Sequence, residues 1–412
     1  MKKMQQRLIK WIKAHKKQLI AAGLSIAVLV GTVMGIKNRA SIVKLWHDLR
    51  NAVKASDIIK VTPIPVAETV QEVLIVPVQT HQLEPFEVCK HIRNLSSGRE
   101  ASELKKARKL ANNNYTAYLK ISDGCDNRCA YCAIPLIRGE FVSREPEKII
   151  YEANRLAECG YKELIVLQQD TTKYGVDFDD KSINIVFLLK ELLKVKSLDY
   201  IRLLYLYPDE ISEELIDLIS KEPRLTPYFD IPIQHSEDKI LELMNRRGNK
   251  NYLRNLFKRI REKCPNAVLR TTVMVGFPGE TEDDFKGLLD FIQEIEFDHL
   301  GCFSYSREED TPAYNFPNQL DEEIKKKRLD EVMRLQQKIS YRKNKLHIGE
   351  VMEGLVVGTD HDYYCLRSYW NAPDDVDGKI LFKCDSKIEI GQKIKVKITS
   401  AFVYDLLGEA IL

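Results

Sequence analysis

Three cysteines in one short run are the residues of this 412-residue chain best suited to chemistry. Cys125, Cys129 and Cys132 lie in GCDNRCAYC, with the spacing CxxxCxxC, directly after an apolar run that reads as a strand. Closely spaced thiolates in such a loop can converge on one inorganic cluster. Three thiolates leave one iron of a four-iron cluster without a protein ligand, and a small molecule can bind there. The spacing therefore predicts one [4Fe-4S] cluster with one open iron.

Two other interpretations of the cysteines compete with this one. A structural zinc site needs a fourth Cys or His at finger spacing, and the neighbouring sequence offers none. Three unrelated buried cysteines would not be expected to cluster after a strand. The other six cysteines stand singly, which indicates reduced thiols and a cytosolic core rather than a secreted disulfide scaffold: Cys89, Cys159, Cys264, Cys302, Cys365 and Cys384.

The elements that must position the cysteines follow from the hydrophobic pattern. Between residues 115 and 306, apolar runs alternate with helical stretches: YTAYLKI, ELIVLQ, YIRLLYLY, YFDIPIQ, VLRTTVMVGF and HLGCFSYS. This alternation predicts an α/β fold whose six parallel strands close partly or fully as a barrel. A charged amphipathic helix from Asp321 to about Lys345 would then carry the chain off the sheet.

The last part of the chain has a different hydrophobic pattern. Residues 347–412 contain short alternating strands between Gly and Asp turns, which predicts a small five-stranded barrel. Seven basic and eleven acidic residues give this part a net charge of −4, whereas the whole chain carries +3. A negative domain is unsuited to an RNA backbone and suited to a basic protein partner. Solvated surface charge without a partner is an equally open interpretation.

The motifs, taken together and in order, resemble the RimO-like radical SAM methylthiotransferases over residues 112–412. They are KISDGCDNRCAYCAIPLIRG, LQQDTTKYG, YLYPDE, YFDIPIQH, VLRTTVMVGFPGETEDDF and RSYWNAPDDVDG. The resemblance implies a radical SAM partial (β/α)6 TIM-like barrel at 112–345 and an OB-like TRAM domain at 346–412. It also implies that S-adenosyl-L-methionine (SAM) binds the open iron. An electron from a flavodoxin- or ferredoxin-type donor would then cleave SAM to a 5′-deoxyadenosyl radical.

The resemblance further implies a transferase that methylthiolates an aspartate of a basic small-subunit ribosomal protein. Such enzymes resemble one another in an N-terminal domain whose three cysteines hold a second cluster, implicated in sulfur supply. Upstream of Cys125 this sequence has only Cys89, so we expect SAM cleavage with sulfur insertion impaired unless sulfur comes from elsewhere. The alternatives are a single-cluster radical SAM enzyme of other chemistry and a membrane-tethered binding protein with an idle core.

Further cofactor-binding residues are expected around the cysteines. By resemblance, Tyr131 would place its backbone against the adenine of SAM, and Gly276 and Gly279 would form the cofactor-side turn GFPG. That turn could equally just precede a helix with an N-cap at Thr281 and its partner Asp284. We also expect site residues at or near the carboxyl ends of strands, where barrel sites collect them: Gln169, Asp170, Gln234, His235 and Arg270. His235 could equally hold a loop through hydrogen bonds.

The first 111 residues have a different composition. Residues 1–60 read as a basic helix and a membrane-like helix at 18–36, uncharged over roughly 19 residues, about the length that crosses a bilayer. We expect an uncleaved anchor there, with a buried core helix as the alternative, and a linker-like region at 61–111. Flanking lysines and arginines weakly favour a cytoplasmic N-terminus, which would export the rest. Since cluster chemistry needs reducing surroundings, we expect a cytoplasmic core on an anchor inserted against this bias, or a foreign N-terminal part.

Overall fold

The computed structural model describes residues 115–373 and 376–411 of the chain. The predicted membrane anchor at 18–36, the linker-like region at 61–111 and Cys89 lie outside these described residues. Within the described ranges, no helix is both long enough and apolar enough to cross a membrane.

The first domain is built on six parallel strands with helices between them. Its strands, with a short antiparallel pair β2–β3, are β1 Thr116–Lys120, β2 Ser122–Asp123, β3 Val142–Ser143, β4 Glu163–Leu167, β5 Tyr200–Leu203, β6 Tyr228–Asp230, β7 Val268–Val275 and β8 His299–Ser304. Its helices are α1 Ile134–Arg138, α2 Pro146–Glu158, α3 Ile185–Leu192, α4 Glu213–Lys221, α5 Asp238–Leu243, α6 Lys250–Lys263, α7 Glu282–Ile295 and α8 Glu322–Leu346. The predicted alternation of six strands with helices is confirmed.

The six strands form two sheets rather than one. One sheet has the order β1–β4–β5 and the other the order β6–β7–β8. They meet at one isolated bridge between Ile201 and Leu225, and Leu206 N donates to Asp230 O at 2.8 Å. Pro227, directly before β6, has no N–H to add to the ladder, which keeps this joint short. Among the described residues β1 and β8 do not pair, so the wall is an open half barrel.

The two faces of the half barrel are packed differently, as β7 shows. Val273 and Val275 are fully buried against the helices, in the same core as Phe285 of α7. The alternate residues Thr272 and Met274 are only half-buried, because they face the inside of the half barrel. The inner face is therefore less densely covered than the outer face.

Two helix predictions are confirmed by the local hydrogen bonds. Thr281 caps α7 in a capping box: Asp284 N donates to Thr281 Oγ1 at 3.2 Å, and Thr281 N donates to Asp284 Oδ2 at 2.8 Å. The long charged helix predicted from Asp321 is α8, which begins after that residue and buries Val332 and Ile339 in the core. α8 thus packs along β8 before the chain enters the second domain.

The second domain is a closed five-stranded barrel, as predicted. The strand order around it is β10–β11–β13–β12–β9. Its strands are β9 Val351–Asp360, β10 Tyr363–Arg367, β11 Ile380–Lys383, β12 Lys393–Ala401 and β13 Leu406–Ile411.

The five-stranded barrel covers the amino-terminal end of the half barrel. Tyr228 and Val268 are the first residues of β6 and β7, and both lie in the hydrophobic core of the second domain. His299, the first residue of β8, has its Nε2 2.8 Å from Trp370 O. The half barrel is therefore sealed at the end where its strands begin.

Buried charges complete this seal. Glu163 is the first residue of β4 and accepts hydrogen bonds from Arg202 Nε and Arg367 Nη1, each at 3.4 Å. Arg202 also donates from Nη2 to Ser368 O at 2.7 Å. With this end closed, the carboxyl ends of the strands stay accessible to a ligand.

Candidate functional site

The three cysteines lie in a loop after β2, and this loop is clamped against its own return segment. Gly124 begins it with φ at +67°, and a Cβ there would lie 1.9 Å from Glu140 O. Only glycine permits both that dihedral and that approach. Cys125 N donates to Gly139 O at 3.2 Å, and Cys132 N donates to Cys129 O at 3.0 Å, which closes a tight turn. The backbone thus presents the three thiols from one compact loop.

The thiols are close enough to affect one another. Cys125 and Cys129 are buried, Cys132 is half-buried, and the described cysteines are free of disulfides. Burial raises the pKa of Cys125, and the charges of Asp170 and Cys129 raise it further. Burial likewise raises the pKa of Cys132 to about 11, with added contributions from Cys129 and Cys125. Without iron, Cys125 and Cys132 would therefore be protonated thiols, so binding iron must displace their protons.

The donor set suits an iron–sulfur cluster better than a single ion. In the part of the chain that the structure describes, no group of three or more His, Cys, Asp or Glu side chains could hold one metal ion. A four-iron cluster makes a different demand, because each thiolate binds a different iron and the sulfurs need not converge on one point. Three neighbouring thiols in a partly buried loop therefore fit a cluster with one open iron.

The segment after β4 holds the cysteine loop. Asp170 accepts hydrogen bonds at 2.7 Å from Asn127 Nδ2 in the loop and from Thr172 Oγ1. Burial raises the pKa of Asp170, although these two hydrogen bonds oppose the shift. Gln168 Nε2 donates to Gly124 O at 3.0 Å. Asp170, a predicted site residue, is therefore a support of the loop.

Gln169 follows Gln168 in the turn after β4. It is half-buried, and among the described residues its side chain has no hydrogen-bond partner, whereas Gln168 contacts the loop. Its role in cofactor binding stays a prediction, and Gln168 is a contact that the sequence analysis missed.

The segment that follows α5, residues 244–247, grips the loop from the other side. Ala130 N donates to Met244 O at 2.9 Å, and Asn245 Nδ2 donates to Arg128 O at 2.8 Å. Sequence reasoning missed this segment, because no spacing rule connects it to the cysteines. Its one signal is a pair of arginines, Arg246 and Arg247, directly before a glycine.

Arg246 is the residue of this segment closest to the thiols. It donates from Nη1 to Cys129 Sγ at 3.8 Å and to Tyr131 Oη at 3.3 Å, and from Nη2 to Pro232 O at 2.6 Å. Its guanidinium lies over the ring of Tyr207, 4.3 Å from the centroid. Burial raises the pKa of Tyr131, while the charge of Arg246 opposes that shift.

The predicted glycine turn lies at the same end of the half barrel. Gly276 follows β7 with φ at +73°, and a Cβ there would lie 2.4 Å from Lys325 Cγ, so a side chain would be strained as well as crowded. Glu280 accepts hydrogen bonds from Gly276 N and Phe277 N, and Phe277 packs edge-on against Tyr131 at 6.4 Å. The turn is thus adjacent to the cysteine loop.

Gly279, also in this turn, and His235 both make hydrogen bonds that hold the protein's own loops. Gly279 N donates to Asn318 O at 3.1 Å, and Gly279 O accepts from Lys239 Nζ at 3.1 Å. His235 is fully buried, and its Nδ1 accepts from Glu237 N at 3.1 Å. His235 therefore holds its own loop, which was one of its two expected roles.

Arg270 is not brought to the cysteine loop, which corrects its expected place at a strand's carboxyl end. It is the third residue of β7, and the five residue steps to Val275 correspond to about 16 Å of strand. Its guanidinium donates to Asp230 at 2.6 Å and to Asp377 of the second domain at 3.3 Å. With two carboxylate partners, Arg270 belongs to the sealed end rather than to a cofactor site.

Unusual backbone dihedrals are found around the open end. Arg128 of the cysteine loop and Asn245 opposite it have φ values of +50° and +54°, and Tyr205 and Gln234, which follow β5 and β6, have +59° and +67°. Non-glycine residues in this region are strained, and such strain tends to occur at functional sites. Gln234, a candidate from the sequence, is therefore at the open end through its backbone.

The open end also exposes aromatic surface. Tyr205 is 41% exposed and Phe303, on the inner side near the end of β8, is 61% exposed. Large aromatic side chains left uncovered next to strained backbone are suited to contact a ligand or substrate.

Comparison with known families agrees with this division of the chain. Residues 119–292 match the Radical SAM superfamily, and residues 348–411 match the TRAM domain. Among solved structures, coproporphyrinogen III oxidase (HemN) from Escherichia coli is 14% identical, with a TM-score of 0.43 over 66% of this chain and 71% of that one. That score is low, so the family assignment rests on sequence.

Closer relatives are found among characterised proteins. The chain is 48% identical over 305 residues to the ribosomal protein uS12 methylthiotransferase RimO of Clostridioides difficile (strain 630), which covers 74% of this chain and 68% of that protein. It is 47% identical over 310 residues to the same-named protein of Acetivibrio thermocellus, with 75% and 68% covered. The chain therefore belongs to the RimO family of radical SAM methylthiotransferases.

Proposed function

We propose that this chain methylthiolates ribosomal protein uS12, with a [4Fe-4S] cluster on Cys125, Cys129 and Cys132. The observation that carries the proposal is the clamped loop of three free thiols at the open end of the half barrel. Bound there, the cluster would supply the single electron that cleaves SAM. The named relatives act on uS12, which gives the substrate.

Residues of the chain position the cysteine loop and the proposed SAM site. Asp170 and Gln168 fix the cysteine loop from the β4 side, and Asn245 fixes it from the α5 side. We propose that Tyr131 and the turn at Gly276 and Gly279 border the SAM site, because Phe277 joins them in one contact. These roles rest on proximity to the loop and on the family resemblance.

We expect the substrate to approach from the open end. The second domain seals the other end through Arg367, Ser368 and Trp370, which contact Glu163, Arg202 and His299. The reacting aspartate would then enter past the exposed rings of Tyr205 and Phe303. The net charge of −4 on residues 347–412 would favour a basic ribosomal protein as it approaches. RNA is disfavoured as a partner for the same reason.

The two candidate functions differ in whether sulfur can be inserted. Replacing a C–H hydrogen by a methylthio group needs a sulfur donor, and Cys89 is the single cysteine in the sequence before Cys125. We propose that SAM cleavage is intrinsic to the chain, whereas methylthiolation depends on a sulfur donor such as sulfide. The same cysteine count favours the second candidate, a single-cluster radical SAM enzyme of other chemistry.

The cluster chemistry also indicates where the core works and which kind of protein reduces the cluster. A reduced cluster and SAM require the cytoplasmic side, so we propose that the core works there. A flavodoxin- or ferredoxin-type protein would deliver the electron. Anchoring of this core through residues 18–36 remains a prediction from the sequence.

The test uses the full chain, purified anaerobically and reconstituted with iron and sulfide. Incubation with SAM and dithionite should yield 5′-deoxyadenosine, and the Cys125→Ala variant should yield none. Addition of uS12 and sulfide should then give uS12 carrying one methylthio group, detected by mass spectrometry. Absence of 5′-deoxyadenosine from the wild type would refute the proposal. Its formation without any modified uS12 would favour the single-cluster alternative.

A further inference from the structure

Two adjacent arginines beside the cysteine loop differ in how their charges are balanced. Arg247 is 48% exposed on its side chain and forms ion pairs with Asp209 and with Glu210. Arg246 is half-buried, and within the described ranges no Asp or Glu forms an ion pair with it. Both guanidinium groups lie over the ring of Tyr207, at 4.3 and 5.1 Å from its centroid. The chain therefore neutralises one cation and leaves the other without a carboxylate.

The uncompensated cation is held in a fixed position. The carbonyl of Pro232 accepts from Arg246 Nη2 at 2.6 Å, while Tyr207 covers the guanidinium plane. These two contacts direct Nη1 toward Tyr131 Oη at 3.3 Å and Cys129 Sγ at 3.8 Å. A planar guanidinium keeps such a geometry better than a flexible ammonium would.

Removing a cation from water is costly unless an anion compensates it. The group that Arg246 faces is a sulfur expected to carry negative charge. Three thiolates on a four-iron core of charge +2 give −1, and one added electron gives −2, so Arg246 would face an anion in either state. Positive charge and hydrogen bonds at a cluster sulfur stabilise the reduced state and raise the reduction potential.

We propose that Arg246 is a positioning residue that orients Cys129 and raises the reduction potential of the cluster. The inference rests on the cluster assignment made under the proposed function. The step concerned is the transfer of one electron from the external donor to the oxidised cluster, with no bond made or broken. Arg246 favours this step because its fixed charge interacts more strongly with the −2 state than with the −1 state.

The test measures the midpoint potential of the reconstituted full chain without SAM, by a redox titration followed by electron paramagnetic resonance. The variants are Arg246→Gln, Arg246→Met, which can still pack on Tyr207, and Arg246→Lys. The control is Arg254→Gln, which removes the same charge from a partly exposed arginine of α6 that pairs with Glu294 of α7. For the two neutral variants we expect the reduced-to-oxidised ratio at a given applied potential to fall at least tenfold, which is a shift of about 59 mV to more negative potential.

The lysine variant should lie between these values and the wild type, and Arg254→Gln should match the wild type. A neutral variant that folds normally but loses iron, while Arg246→Lys keeps it, would also support the proposal, since the positive charge would then be what retains the cluster. An unchanged midpoint potential in either neutral variant would refute the proposal. If SAM binding then weakened while the midpoint stayed the same, the charge of Arg246 would serve the SAM carboxylate instead. If the wild type itself forms no cluster, the cluster assignment fails instead.

Discussion

The two ends of the half barrel hold their least exposed arginines differently. At the amino end, Glu163 pairs with Arg202 and Arg367, and all three side chains are almost fully buried. At the carboxyl end, Arg246 has hydrogen bonds but, among the described residues, no carboxylate partner. Strained backbone also occurs at the carboxyl end, as at Tyr205.

This difference shows that a charged residue in a strand or at its end does not by itself mark a site. What distinguishes Arg246 from the arginines of the sealed end is whether the protein supplies the compensating charge. Arg270 has its carboxylates and acts as structure, whereas Arg246 faces sulfur and is left for a ligand to neutralise. Substitutions at each end test this difference.

The largest effect is expected from removing a thiol at the open end. Cys132→Ala should abolish the cluster, because two thiolates cannot anchor it as three do. The reconstituted protein should lack both the visible absorbance of the cluster and the corresponding iron. Cys264→Ala is the matched control, since Cys264 is buried at the end of α6, away from the loop, and should leave the iron content unchanged. Equal iron in Cys132→Ala and the wild type would mean that the cluster lies elsewhere.

The next largest effect is expected at the sealed end. Glu163→Gln leaves the buried Arg202 and Arg367 without their anion, which should lower the free energy of unfolding by about 3–5 kcal/mol. Denaturant titration measures this change, and the iron bound per folded chain should stay constant. Glu214→Gln removes an exposed partner of Lys190 and should cost about 0–1 kcal/mol. If Glu163→Gln cost no more than that, the charges of the seal would be unimportant.

A smaller effect is expected where the loop is supported. Asp170→Ala leaves Asn127 and Thr172 without their acceptor, which should cost about 1–3 kcal/mol of stability. Because the loop is then held less firmly, iron should be lost to a chelator faster than from the wild type. Asp180→Ala is a suitable control, as Asp180 is exposed and bonds only locally to Ser182. An unaltered rate of iron loss would show that Asp170 does not support the cysteines.

The smallest effect concerns pH at the sealed end. Burial alone would raise the pKa of Asp377, but the charges of His299 and Arg270 and a hydrogen bond from Tyr228 hold it below its ordinary 3.8. The folded state therefore binds this proton less readily than the unfolded state, and stability from Asp377 is lost as the pH falls below about 4. Asp377→Asn should flatten that part of the stability curve, measured by urea titration from about pH 6 to about pH 3. A curve as steep as the wild type would assign the acid loss to other carboxyl groups.

Much of the fold could be predicted, because hydrophobic periodicity reports burial directly. The six strands, the helix after Asp321 and the five-stranded barrel all follow from local patterns. The break between β5 and β6 does not, since it depends on how strands from distant parts of the chain meet at Pro227.

The site was predicted where residues are close in sequence and missed where they are not. The cysteine spacing identified the loop, and Asp170 was placed correctly beside it. Gln168, which contacts the loop beside the predicted Gln169, was missed because the sequence does not reveal side-chain contacts. Arg246 was missed because it lies 117 positions from Cys129, and only folding brings them together.

The order in which the chain is synthesised affects when the amino end of the half barrel is sealed. Arg367 follows Ser304, the last residue of the half barrel, by 63 positions, so the strands leave the ribosome well before the segment that covers them. Since domains generally fold in the order of synthesis, we expect Glu163 and Arg202 to stay solvated until then. The seal would form last and dehydrate this ion pair, which would tie the completion of the catalytic domain to the folding of its neighbour.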